Sequence, residues 1–357
     1  MKPCFKHLAG ESENDRQMSA GVATRKRVAC TVLREESKAF KTLLTLISAA
    51  LLLPTLGVAQ PPSSNTAPDL GTLVGPAAGD GIVAMYPPGT ILENIAIGPT
   101  GHLFVTAINS GTIFQVSPAG SSRVFGQVQG PLLGLAFDVD GTLVAVGGTT
   151  GSVYRFSSEG TPSLVIKIAG AQDLNGIALL SPGKFLVADD AADTVWEVDA
   201  KAGTAHTWLT GGLLIHPPNG LPIGPNGIKL FRGAAYISNT GAGTLLRVPI
   251  RWDGSAGTPE VYASSFQVDD FAFGLDGSIF AATQTGNIIR LHPNGTRTTM
   301  PTGTLGDAAV AFGHTLFDFR DIYVVNNGGA FLGLPGGPLA ASIVRLVTNV
   351  PGALAGW

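Results

Sequence analysis

Cysteine is almost missing from this chain. The 357 residues include two, Cys4 and Cys30, and both precede an expected leader cleavage point. The mature protein is therefore expected to form no disulfide and to do no thiol chemistry, even in an oxidising compartment. Charge is sparse: 22 Lys and Arg stand against 25 Asp and Glu, a formal −3. That balance offers no basic footprint for nucleic acid. No apolar run reaches the roughly 20 residues of a membrane-spanning helix. The best candidate, Leu43–Leu56, is interrupted by Pro54. A Gly-x-Ser-x-Gly elbow and a P-loop are both missing, which leaves an activated serine or an NTPase unsupported.

What is abundant is glycine, at 48 of 357 residues with 24 prolines. That glycine share is about twice the usual roughly 7%. Both residues are poor in helix interiors, so a helical bundle or coiled coil is excluded. With 45% hydrophobic residues the chain can still fill a core.

The first 59 residues form an expected N-terminal extension plus signal peptide. Lys38-Ala39-Phe40-Lys41 is a basic n-region, Leu43–Leu56 an apolar h-region, and Gly57-Val58-Ala59 a small-x-small site, with cutting after Ala59. A true start at Met18 or later would account for the polar residues in front. The mature protein is expected to be secreted or periplasmic and to have no membrane association once the signal is cut. The signal-bearing part takes nine basic and five acidic residues with it, leaving 13 basic and 20 acidic ones. An acidic, cysteine-free mature chain suits a site for a hard cation. Residues 60–80, rich in Pro, Ser, Gly and Ala, read as a flexible leader.

From residue 81 to 357 one unit recurs: three short apolar runs separated by a Gly-containing turn and a polar loop, then a closing turn with Gly. The clearest copies are Ile91–Gly120 and Val268–Gly295; Leu132–Gly160, Leu174–Gly203 and Pro225–Gly254 follow the same plan, and a worn sixth runs from Asp307 to Thr348. The runs are rich in Val, Ile, Leu and Phe and bounded by Gly, Asp, Asn and Pro, which predicts strands joined by hairpin turns. A fourth strand follows, as at Glu260–Ala263. Four antiparallel strands per unit, six times over, predict an all-β, six-bladed β-propeller. The last unit ends with its third strand, Ser342–Val347, while a spare strand, Ile82–Tyr86, precedes the first. The spare strand is expected to complete the last blade.

Aligning the start of each first strand puts Glu93, Leu133, Asn175, Asn226, Asp269 and Ala308 at one equivalent place. First strands line the channel of a propeller, so these side chains face a common axis. Four of the six are oxygen donors of the kind a divalent cation such as Ca²⁺ accepts. Two uncompensated carboxylates in a narrow channel would need a cation or a proton between them. The set has no His or Cys, which argues against structural zinc.

These residues resemble the SMP-30/gluconolactonase/LRE-like six-bladed propellers over roughly residues 82–348. The resemblance rests on Leu92-Glu93-Asn94, Leu174-Asn175-Gly176, Pro225-Asn226-Gly227, Val268-Asp269-Asp270 and Ala309-Val310-Ala311-Phe312-Gly313. It implies that Glu93, Asn175, Asn226 and Asp269 hold a divalent cation, most often Ca²⁺, and that Asp269 is also the general base for opening a lactone. Members acting on sugar lactones carry an Arg where this chain has Asp173, which speaks against a sugar acid lactone. Asp270 replaces a Gly. The Asp-Asp-Phe form, with Ser238-Asn239-Thr240, also resembles a propeller branch that includes fungal hetero-Diels–Alderases. The expectation is a metal-dependent hydrolase of a lactone or related ester; the alternatives are a cyclase or pericyclase, or a ligand-binding propeller without catalysis.

Two long loops, Leu209–Pro225 and Asn326–Ala341, are expected beside the channel mouth. They contain no Lys or Arg. Leu213, Leu214, Ile215, Phe331 and Leu332 would offer an apolar wall for a neutral, rather hydrophobic small-molecule substrate. His216 and His314 are candidate proton carriers or hydrogen-bond donors. Asp173, Asn239, Asp270 and Phe331 complete the candidate substrate contacts. Asp189, Asp190 and Asp193 read as a solvated acidic loop.

Overall fold

Apolar runs of this length can bury both faces only if sheets stack against sheets, and six small sheets do so here. The computed structural model describes residues 81–353. The extension, signal and leader expected over residues 1–80 lie outside the described residues. Blade 1 is β2 (Leu92–Ile97), β3 (Leu103–Ala107), β4 (Thr112–Val116) and β5 (Ser122–Gln127). Blade 2 is β6 (Leu135–Phe137), β7 (Leu143–Val146), β8 (Ser152–Phe156) and β9 (Pro162–Lys167). Blade 3 is β10 (Leu174–Ser181), β11 (Lys184–Asp189), β12 (Thr194–Asp199) and β13 (Thr204–Thr210). Blade 4 is β14 (Pro225–Phe231), β15 (Ala234–Asn239), β16 (Thr244–Pro249) and β17 (Glu260–Ser264). Blade 5 is β18 (Phe271–Phe273), β19 (Ile279–Ala282), β20 (Asn287–Leu291) and β21 (Arg297–Pro301). Blade 6 is β22 (Asp307–Phe312), β23 (Asp321–Asn326) and β24 (Ala340–Val347), completed by β1 (Gly81–Pro88).

The predicted closure is present. β1 pairs antiparallel with β24, with Ile82 opposite Val344 and Tyr86 opposite Ala341. Val83, Ala84 and Tyr86 enter the same apolar cluster as Leu92, Val105, Tyr323 and Ile343. First and last blades are thereby joined through a shared core, and neither end of the repeat is left as an open edge. The first strands meet in a ring, each touching the next: β2, β6, β10, β14, β18, β22 and back to β2.

The site depends on an irregularity at the start of these first strands. The pairing register breaks between Leu92 and Ile95, between Leu174 and Ile177, and between Pro225 and Ile228. A bulge re-aims a side chain out of the regular alternation, and Glu93, Asn175 and Asn226 sit inside these three breaks. Asn-Gly would ordinarily suggest a turn, but here the glycine serves packing. A Cβ on Gly176 would lie 2.2 Å from the carbonyl oxygen of Asn226, and one on Gly227 would lie 2.6 Å from that of Asp269. The third place must be bare in blades 3 and 4 because the next blade's backbone presses against it.

Candidate functional site

First strands begin at the upper rim of the propeller, and the equivalent second places face the channel there. Three of the four oxygen donors are held by a residue just past the end of their own blade's second strand. Asn175 donates its amide to Asp190 at 3.1 Å, fifteen residues on. Asn226 donates to the Thr240 hydroxyl at 3.2 Å, fourteen residues on. Asp269 accepts from the Gln284 amide, fifteen residues on. It also accepts from Asn226 at 2.8 Å, which ties blade 4 to blade 5. Asn327 in turn donates to the Gln284 carbonyl at 3.2 Å.

Blade 1 breaks this rule. The place that would support Glu93 is Ile108, which cannot donate from its side chain. Glu93 is 6% exposed, yet among the described residues no group hydrogen-bonds its carboxylate. Nor does any described group donate to the carbonyl oxygens of Asn175 and Asn226, whose amide nitrogens alone are engaged. Every fully covered side-chain nitrogen or oxygen among the described residues has a partner. The unpartnered oxygens of Glu93, Asn175 and Asn226 therefore open onto the channel.

The electrostatics match. Burial pushes the Glu93 carboxyl well above the usual carboxylate range, and the charges of Asp269, Asp190, Asp270 and Asp173 push it further. Burial lifts Asp269 to about 7; Asp270 adds to the rise, while Gln284 and Asn226 oppose it. Burial also lifts Asp173 to about 7, helped by Asp189. With no cation among them, Glu93 is held toward its protonated form and Asp269 and Asp173 titrate near neutrality. The oxygens left open are carboxylate and amide carbonyl, the donor set of a hard divalent cation. Among the described residues, no three His, Cys, Asp or Glu side chains form a metal-holding group by themselves. A cation held here would take two of its ligands from the amides.

The acidic stretch of blade 3 is not solvated. Asp189 and Asp190 are buried. Asp189 accepts from the backbone N–H of Asp173 at 2.8 Å and of Ala192 at 3.2 Å, and from the Trp196 indole at 3.0 Å. It fastens the β9–β10 connection beneath Asp173, whereas Asp190 turns to Asn175. Sequence reasoning missed Asp190, Thr240 and Gln284. Their offsets of fifteen, fourteen and fifteen residues from Asn175, Asn226 and Asp269 were the available signal.

The other candidates divide. Asp173 and Asp270 are brought to the acid cluster. Phe331 lies half-buried in the β23–β24 loop at the same rim. His216 lies in the β13–β14 loop, its Nδ1 2.8 Å from the Asp193 carboxylate. That contact fixes the ring and leaves Nε2 free. Asn239 does not face substrate: it is fully buried and donates to the carbonyls of Leu213, Leu214 and Ile215 at 3.0, 2.9 and 3.2 Å. Its own carbonyl accepts from the Ala242 N–H at 3.1 Å. Asn239→Ala is expected to free the loop, costing about 1–3 kcal/mol for the orphaned carbonyls. Limited proteolysis within 209–225 measures it, and an unchanged cleavage rate would count against the clamp. Leu214 is buried in the core between blades 3 and 4, whereas Leu213, Ile215 and Leu332 are exposed.

His314 is at the wrong end of the molecule for the site. It lies in the β22–β23 connection, on the lower rim, where the neighbouring Thr315 packs against Gly101 in the first turn of blade 1. Blade 6 has a longer connection there than the tight turns of the other blades.

No family model and no curated protein matches the sequence. Solved structures do match its fold. One is the calcium-binding protein regucalcin from Agrobacterium tumefaciens, 16% identical with a TM-score of 0.61, covering 78% of this chain and 96% of that one. Another is a luciferin-regenerating enzyme, 13% identical with a TM-score of 0.61, covering 78% and 98%. A gluconolactonase from Xanthomonas campestris is 15% identical with a TM-score of 0.59, covering 76% and 89%. The chain shares the propeller fold of these proteins, as the sequence resemblance implied.

Proposed function

We propose that this propeller is a calcium-dependent hydrolase of a neutral, rather hydrophobic lactone or related ester, of the SMP-30/gluconolactonase/LRE-like type. The observation that carries the reading is the Glu93 carboxylate, nine-tenths buried and unpartnered, beside two open amide carbonyls and a second raised carboxyl. Two proteins of similar fold, a calcium-binding protein and a gluconolactonase, support it.

Glu93, Asn175, Asn226 and Asp269 would hold the cation. When bound, a divalent cation supplies Lewis-acid polarisation of the substrate carbonyl. Asp269 accepts a proton from the attacking water, and Asn226 and Gln284 orient its carboxylate for that transfer. Leu213, Ile215 and Leu332 offer apolar surface at the rim, and with no Lys or Arg in either loop an anionic substrate has no partner there. After cleavage of the expected signal the protein acts outside the cytoplasm, on a small molecule.

The test is a metal analysis of the mature protein joined to a lactone panel with and without chelator. Hydrolysis that survives full metal removal defeats the mechanism. The exposed apolar rim also suits a second reading, a cyclase or pericyclase of the hetero-Diels–Alderase-like type, whose turnover would ignore chelator. A binder without catalysis would be stabilised by its ligand without forming product.

A pH dependence follows. Asp269 titrates near 7 in the folded chain, far above its ordinary 3.8, and Glu93 is shifted the same way. The native state thus keeps protons that the unfolded chain has lost. The stability this contributes is fully present below about pH 4 and is lost as pH rises to about 7. Asp173 and Asp307, lifted to about 7 and about 6, add to the same decline. Calcium must displace the protons on Glu93 and Asp269, so its affinity should rise with pH by about tenfold per unit for each proton displaced, the Asp269 share levelling off above about 7. Melting curves from pH 5 to 8, with calcium and with chelator, measure this. Parallel curves would contradict it.

A further inference from the structure

The fifth place of the first strands carries a second pattern. It is Ala96, Ala136, Ala178, Ala272 and Ala311 in five blades, and Lys229 in blade 4. Lys229 is the only basic residue in the six first strands. A lysine at a place that is otherwise alanine needs a reason, and its contacts supply one. Its ammonium lies 2.5 and 2.7 Å from the two carboxylate oxygens of Asp270.

Asp270 itself occupies the third place of blade 5, where blades 2, 3 and 4 have glycine. It directly follows Asp269 and is buried. Its carboxylate lies against Gly227, close enough that a Cβ there would come within 2.6 Å of Oδ1. From the other side Asn94 of blade 1 donates to Oδ2 at 3.4 Å. Blades 1, 4 and 5 therefore converge on one carboxylate next to the proposed cation ligands, and the lysine takes both of its oxygens.

We propose that Lys229 is a positioning residue for the cation site: it holds Asp270 against blade 4 and keeps that carboxylate out of the ligand set. The inference rests on the cation reading above. Calcium affinity follows the number of charged ligands. Three carboxylates would bind the ion more tightly than Glu93 and Asp269 do, and would leave less positive charge to polarise a carbonyl. A lysine counter-ion built into the channel limits the site to two carboxylates while still allowing Asp270 to be buried.

The experiment is calcium titration calorimetry on the chelator-stripped protein, with melting temperatures alongside. Lys229→Met should free Asp270 and tighten calcium binding at least tenfold. Asp270→Asn should leave the ammonium unpaired beside the cation and weaken binding at least tenfold. Lys229→Met combined with Asp270→Asn should return the affinity to within about threefold of wild type. Lys229→Arg, which keeps the charge, should bind as wild type does. A pair that only stabilises the fold would lower the melting temperature of each single variant and leave calcium affinity unmoved, and that result overturns the inference. If Lys229→Met does not fold, the opposed behaviour of Asp270→Asn and the double variant still decides it. A wild type that takes up no calcium overturns this inference and the cation reading together. A wild type that binds, with variants that all match it, overturns this one alone.

Discussion

Glu93→Gln is expected to raise the melting temperature of the metal-free protein at pH 8 and to abolish stabilisation by calcium. The two effects have opposite signs, and that opposition makes the test strict. In the metal-free chain Glu93 is a buried carboxyl without a hydrogen-bond donor, surrounded by Asp269, Asp190, Asp270 and Asp173. Ionising it costs free energy that a neutral amide of the same shape avoids. Each kcal/mol recovered should raise the melting temperature by about 2–4 °C in a domain of this size. With calcium present the balance reverses. Wild type should gain about 4 kcal/mol at a thousandfold excess over Kd, and the variant almost none. A carboxylate that merely packed would give a variant destabilised in both conditions. Thermal melts of the two proteins, with and without calcium, separate these outcomes.

The propeller was legible because each blade repeats the same signals. Even the closing strand could be placed, since the phase of the repeat left Ile82–Tyr86 over at one end and a gap at the other. The second place of each first strand was legible for the same reason. Its supports were less so. Asp190, Thr240 and Gln284 share a position but no chemistry, so they look like a repeat only when the bond each makes is known. Asp189-Asp190 resembled a solvated pair because sequence does not show that backbone N–H groups and an indole converge on Asp189. Asn239 stood among the substrate contacts as part of Ser238-Asn239-Thr240, but its amide is consumed by loop carbonyls. His314 was misplaced because one long connection on the lower rim resembles the long connections above. Lys229 went unnoticed because strand lysines usually point to solvent, and only the alanines at its equivalent places mark it.

Asp269→Asn is expected to cost about 10²–10⁴ in kcat, the range of a lost general base. The geometry makes the change severe. Both carboxylate oxygens already accept amide N–H groups, from Asn226 and Gln284. An asparagine would turn an amide of its own toward one of those donors, leaving two N–H groups facing each other. The proposed roles of Asp269 conflict in part, because a carboxylate that ligates a cation is a weaker base. Measuring turnover of the variant across a calcium titration resolves the conflict. If saturating calcium leaves turnover lost, the carboxylate is needed for the proton itself. If saturating calcium restores it, Asp269 serves as a ligand and the base lies elsewhere. The next residue to test is then His216, whose Nδ1 is fixed by Asp193 and whose Nε2 is free. An imidazole held by a carboxylate is a competent base. His216→Ala would abolish turnover while calcium affinity stayed at the wild-type value.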